Sequence, residues 1–96
     1  MWFEWKSKIH GVGIYTSKLL SRGDVIDIAI DINNKVTFFG SKINHSYNPN
    51  SILIHKNSLY YVVANQIIEP YTEITVNYDT TPPFIMKAYQ YSPPLK

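Results

Sequence analysis

The chain has 96 residues, and its nine basic and seven acidic side chains give a formal charge of +2, too weak to imply direct nucleic-acid binding without a clustered basic face. It contains no cysteine, so it has neither a disulfide framework nor a thiolate zinc site, and a reducing intracellular setting is expected. The length fits a single small domain over 1–96; no apolar run nears the roughly 20 residues that cross a bilayer, and Met1-Trp2-Phe3-Glu4-Trp5 lacks a signal peptide's basic start, so a soluble protein with no membrane contact is expected.

In chain order, the first feature is His10 followed by Gly11-Val12-Gly13, where glycines permit close backbone approach. Arg22-Gly23-Asp24 then reads as a turn. From Asp24, Ile26, Ile28, Ile30 and Ile32 alternate with Asp27, Ala29 and Asp31, the pattern of a half-buried strand. Asn33-Asn34 tolerates positive φ, and Val36-Thr37-Phe38-Phe39 follows as a second β-rich run ended by Gly40, which predicts a hairpin.

Asn44-His45-Ser46-Tyr47-Asn48-Pro49-Asn50 is a polar loop of residues that cap their own backbone. Its lone histidine has no neighbouring carboxylate or cysteine, so no metal site is expected. Ile52–His55 and Leu59–Val63 flank Lys56-Asn57-Ser58 as a second hairpin. After a break at Glu69-Pro70-Tyr71-Thr72, Ile74, Val76 and Tyr78 alternate with Thr75 and Asn77 as a last strand, which Pro82-Pro83 ends. Residues 80–96 carry four prolines and predict an irregular segment packed up to about Tyr91 by Phe84, Tyr89 and Tyr91. The architecture expected is mostly β, with several short sheets and little helix.

Three segments resemble, in order, the motifs of the SET-domain family of protein-lysine methyltransferases. The Gly11-Val12-Gly13 stretch with its following basic-Gly-acidic turn is similar to the family's Gly-x-Gly element. Asn44-His45-Ser46 followed by Pro49-Asn50 is similar to its most recognisable loop, and Glu73-Ile74-Thr75-Val76-Asn77-Tyr78 to its catalytic strand. The resemblance implies a β-clip-like fold with knot-like C-terminal threading and S-adenosylmethionine as cofactor. It also implies cofactor contacts from Gly11, Val12, Gly13, Asn44 and His45, with Ser46 and Asn50 pinning the loop, an aromatic cover for the adenine from Phe84 (or Tyr89 or Tyr91), and Tyr78 as the catalytic residue.

The implied reaction joins a neutral lysine amine of a protein substrate to a sulfonium methyl, so positioning and desolvation outweigh acid–base groups. With a reference lysine pKa of about 10.4, deprotonation near pH 7 costs on the order of 4 to 5 kcal/mol unless a dry channel and a nearby positive charge lower it. A histone tail is one candidate substrate, and only Asp27, Asp31, Glu69 and Glu73 are grouped to form an acidic groove for it.

The chain departs from the family pattern between Gly13 and Asn44, where 30 residues leave no room for the helical insert that walls the peptide groove and supplies a second channel tyrosine. A homodimer could complete the groove by lending residues across an interface. The same shortening suits a degenerate SET-like module that binds a partner or cofactor without turnover, and a small β-rich virion protein is a third reading. Lysine outnumbers arginine eight to one, a bias resembling AT-rich genomes of viruses or low-GC microbes; a viral protein would act in the host nucleus or cytoplasm.

Overall fold

The computed structural model describes residues 1–96. Strands β1 (Trp2–Lys6) and β2 (Val12–Thr16) pair antiparallel, with Trp2 opposite Thr16 and Lys6 opposite Val12. The sequence pattern does not announce β1, because Trp2, Phe3 and Trp5 put aromatics on both of its faces. In the connecting turn the Ser7 hydroxyl accepts from the N–H groups of Ile9 and His10 at 2.9 and 3.2 Å. Gly11, at φ +50°, accepts from the Ser7 N–H through its carbonyl at 2.9 Å. A left-handed residue there favours glycine.

The next strand, β3 (Val25–Ile30), does not form the expected hairpin with residues 36–39. The turn is present, with Asn34 at φ +60° and the Asp31 carboxylate accepting from the N–H groups of Asn33 and Lys35. Only an Ile30–Val36 bridge follows it, and Phe38–Ser41 forms a single helical turn, α1. Two side chains account for this. Phe39 is buried against Trp2, ring centroids 5.0 Å apart. Gly40 lies so close to β3 that a Cβ would stand 2.3 Å from the Ala29 carbonyl oxygen. Thr37 caps the turn by accepting from the Gly40 N–H at 3.0 Å.

Strand β3 instead pairs with a distant segment. After β4 (Asn44–His45), β5 (Ser51–Lys56) and β6 (Leu59–Ala64) form the second expected hairpin, closed by Asn57 and Ser58 at φ +53° and +64°. Two positive φ values match a type I′ turn, whose twist suits antiparallel strands. A second sheet then runs β3-β6-β5. Two register irregularities in the β3–β6 ladder reset the alternation, so Ala29 and Ile30 are both buried while Ile32 is exposed.

The last strand, β7 (Glu73–Val76), joins the first sheet in the order β1-β2-β7-β4, antiparallel to β2 and parallel to β4. It ends at Val76, short of the expected Tyr78, because the Asn77 side chain accepts from the Asp79 N–H and turns the chain into a 3-10 turn over Tyr78–Thr80. Both sheets contribute to one core, with Ile14, Ile74 and Val76 meeting Ile26, Ile30, Val62 and Ala64. The mostly β fold with little helix is as the sequence predicts.

The C-terminal segment is irregular apart from a 3-10 turn at Ala88–Gln90. Of the three aromatics expected to pack it, only Tyr91 does so. Ala88 is fully buried, Ile85 lies against the core, and the Tyr91 ring centroid is 6.0 Å from that of Tyr78, whereas Phe84 and Tyr89 are exposed. Asp79 accepts from the Ala88 N–H at 2.9 Å, and the Lys87 ammonium is held by the Thr81 and Pro82 carbonyls. No helix is long and apolar enough to cross a membrane.

Candidate functional site

The Asn44–Asn50 loop is fastened to β7 at both ends. At its start β4 lies parallel to β7, Asn44 opposite Thr75 and His45 opposite Val76, and the Ser46 N–H donates to the Val76 carbonyl at 3.0 Å. At its end the Asn50 side chain behaves like a strand residue: its amide donates to the Glu73 carbonyl at 2.8 Å and its oxygen accepts from the Thr75 N–H at 3.0 Å. The Ser46 hydroxyl accepts from the Asn48 N–H at 3.0 Å. One short strand therefore fixes both ends of the loop.

His45 is buried, and its Nδ1 accepts from the Tyr78 backbone N–H at 3.0 Å. That bond puts the ring proton of the neutral form on Nε2, which is buried without a partner. Burial pushes the imidazole below its ordinary pKa, outweighing the opposite pull of Asp79. The ring thus joins the loop to the end of β7 as a neutral acceptor, with the Tyr78 ring centroid 5.1 Å away.

The Tyr78 hydroxyl donates to the Ile43 carbonyl at 2.6 Å. Burial, then the neighbouring Tyr91 and Glu73, push its pKa up to about 12, so at neutral pH it is a phenol and no base. Its proton is committed to Ile43, which leaves the oxygen lone pairs to accept from another group. Tyr78 also lines an apolar pocket of about 190 Å³, together with Ile30, Val36, Ile43, Leu53, Ile85 and Tyr91. Val36, Gly40 and Ser41 bring the shortened interval into this wall. Tyr91, expected from the sequence as a packing residue or an alternative aromatic cover, supplies a second tyrosine to this wall from the C-terminal segment.

A second group of polar atoms surrounds Gly13. The Glu73 carboxylate accepts from the Ser7 hydroxyl at 2.8 and 2.9 Å and from the Asn44 amide at 2.8 Å. A Cβ on Gly13 would stand 2.1 Å from that carboxylate, so glycine is what lets it lie there. The Asn44 Nδ2 has two hydrogens, yet four acceptors lie within 3.1 Å of it: the Ser7 hydroxyl, the carbonyls of His10 and Val12, and Glu73. Acceptors outnumber donors, a surplus that suits a ligand carrying an ammonium.

The structure therefore brings Gly11, Val12, Gly13 and Asn44 to one cluster, and His45 and Tyr78 to an adjoining one. Phe84 is half exposed and lines no part of the Tyr78 pocket. The sequence reading did not single out Ser7 or the side chain of Glu73 for this cluster. Asp27 and Asp31 are used locally, accepting from the Trp2 indole and from the 33–35 backbone. No three His, Cys, Asp or Glu side chains converge as a metal site would require.

The profile described as SET domain matches residues 25–79, a span that holds both the Asn44–Asn50 loop and β7. The chain belongs to the SET-domain family. At family level this places it among protein methyltransferases. A solved structure of a candidate histone methyltransferase from Plasmodium falciparum shares the SET fold with it at TM-score 0.68, covering 83% of this chain and 94% of that one at 19% identity. No curated protein matches the chain by sequence. The Gly11–Gly13 cluster lies outside the 25–79 span, so its link to the SET site rests on the contacts of Asn44 and Glu73.

Proposed function

We propose that this SET domain transfers a methyl group from S-adenosylmethionine to a lysine side chain of a protein substrate, with Tyr78 as the catalytic residue. The observation that carries the proposal is the Tyr78 hydroxyl, protonated, partly buried, and lining an apolar pocket beside the His45 loop. S-adenosylmethionine, when bound, supplies an activated methyl group on a positively charged sulfur.

The chain's own residues suit both partners. The surplus acceptors around Asn44, namely the His10 and Val12 carbonyls and Glu73, would hold the cofactor's ammonium, with Gly11, Gly13 and His45 adjoining. The pocket wall of Ile30, Val36, Ile43, Leu53 and Ile85 excludes water and disfavours a charged lysine. Tyr78 accepts an N–H of the neutral amine through its free lone pairs and so aims the nitrogen lone pair. Tyr91 narrows the same pocket. No carboxylate lines it, so proton removal relies on desolvation.

Calorimetry with S-adenosylmethionine tests the first half of the reading. Saturable heat that Glu73→Ala weakens at least about 10-fold, the loss of one hydrogen bond between charged groups, is expected. No heat at millimolar cofactor would remove the cofactor and the reaction together.

A further inference from the structure

Outside the methyl-transfer site, the outer face of the β1–β2 hairpin carries a depression lined entirely by aromatic side chains: Phe3, Trp5, Tyr15 and Tyr71. Strand register explains the grouping. Phe3 is opposite Tyr15 and Trp5 opposite Gly13, so the three side chains share one face, and glycine leaves the indole uncovered, 64% exposed. The Phe3 ring stacks on Tyr15, centroids 5.7 Å apart at 19°, and meets Tyr71 at 6.1 Å and 59°. The Tyr15 hydroxyl donates to the Lys6 carbonyl at 2.6 Å, which fixes that ring.

Two further observations indicate what this face takes. Tyr71 sits at φ +63°, a strained conformation for a bulky residue. Its N–H is bonded to the Thr16 carbonyl at 2.6 Å, and its ring stands beside the cluster while 73% exposed. A strained backbone that presents an exposed ring is poorly explained by core packing. The second observation is charge. Glu73 is opposite Tyr15 in the β2–β7 register, and its carboxylate is bonded only to the neutral Ser7 hydroxyl and Asn44 amide. Its negative charge reaches the cluster, where, after burial, it helps push the Tyr15 phenol above its ordinary pKa.

Converging ring faces beside a carboxylate that, without cofactor, has no cationic partner in the chain attract a cation with an apolar coat. An aliphatic segment gains nothing from the charge, and a bare ammonium is too well hydrated to leave water for ring faces. We propose that Phe3, Trp5, Tyr15 and Tyr71 form an aromatic cage that binds the methylated ammonium of a lysine side chain on a partner protein. The cage itself stands on its own residues; the choice of lysine as bearer of the methylated ammonium rests on the methyl-transfer reading above. The domain would then bind, on one sheet face, the kind of group made beside Tyr78.

The test is NMR titration of the ¹⁵N-labelled protein with a peptide bearing trimethyl-lysine, with unmodified lysine, or with the neutral carbon isostere of trimethyl-lysine. The Trp5 indole N–H should shift while that of Trp2, bonded to Asp27 at 2.9 Å, stays in place. Binding of the trimethylated peptide should exceed that of both others by about 2- to 30-fold. Trp5→Ala and Tyr71→Ala should each weaken it over a similar range. Both side chains are largely exposed, so the variants should keep the wild-type melting temperature.

Equal affinity for the neutral isostere would overturn the cage, as would the absence of any shift at millimolar peptide. So would concentration-dependent dimerisation that buries Trp5, which would make a second copy the occupant. Because the readout is binding, measured in wild type and in Tyr78→Phe alike, failure here leaves methyl transfer standing, and failed transfer leaves the binding result intact.

Discussion

Replacing Gly13 by alanine puts a methyl group where the Glu73 carboxylate now lies, 2.1 Å from one of its oxygens and 2.7 Å from its carboxyl carbon. The carboxylate is the mobile end of a side chain, so the backbone can stay in place and the carboxylate must leave. Leaving breaks its bonds to Ser7 and Asn44. Hydrogen bonds to a charged group contribute about 1.5–3 kcal/mol each, and water around the displaced carboxylate recovers part of that, so Gly13→Ala should cost about 2 kcal/mol. The φ of Gly13 is not in the left-handed region, so once the carboxylate is removed only the Asn44 amide, 3.2 Å from the new Cβ, must give by a few tenths of an ångström for alanine to fit. In a Glu73→Ala background the same substitution should be neutral or stabilise by up to about 1 kcal/mol. Urea denaturation of the wild type, the two single variants and the double variant measures the coupling, expected at about 2 kcal/mol or more. Costs that add to within about 0.5 kcal/mol would show that Gly13 and Glu73 do not share that space, and would refute the packing assigned to the cluster.

Gly40→Ala is expected to be worse, because its Cβ would meet backbone, 2.3 Å from the Ala29 oxygen and 2.9 Å from the Ala29 Cα. A loss above about 3 kcal/mol, or failure to fold, should appear in thermal melts; wild-type stability would contradict the α1–β3 contact. His45 makes stability depend on pH. Its folded pKa lies below the ordinary 6.5, so the unfolded chain takes up the proton first. The contribution is therefore complete above about pH 6.5 and is lost as pH falls below it. Denaturation midpoints at pH 7.5, 6.5 and 5.5 should decline more steeply for wild type than for His45→Gln, and parallel declines would exclude His45 as the source.

Much of this was legible in local sequence. Lys56-Asn57-Ser58 between two branched, aromatic runs predicted the β5–β6 hairpin, though Lys56 belongs to β5, and the Asn44–Asn50 loop and Tyr78 strand were recognisable as a pair. What was missed depends on partners far away in sequence. The Ile26–Ile32 alternation pointed to a local hairpin, but β3 pairs with β6 through two irregularities, and Phe39 and Gly40 are drawn into a helical turn by Trp2 and Ala29. In the tail, aromatic size suggested Phe84, Tyr89 and Tyr91 as packing residues, and of these only Tyr91 packs. The small Ala88 and the branched Ile85 fit against the core instead, which carries Tyr91 to Tyr78. Gly13 was read as a site for close backbone approach, and its neighbour proves to be a carboxylate 60 positions away in the chain, which no local pattern announces.

The measurement that bears most directly on the proposed activity is tritiated methyl transfer from S-adenosylmethionine into protein lysine in a cell lysate, by wild type and by Tyr78→Phe. Tyr78→Phe removes the hydroxyl bonded to Ile43 while keeping the ring, so folding should be lowered by only about 1–3 kcal/mol, and circular dichroism at the assay temperature checks that the variant is folded. Wild type should place label in lysine, and the folded variant should place about 10- to 100-fold less. Equal labelling by both would remove Tyr78 from its role, and no labelling by wild type would contradict the proposed transfer.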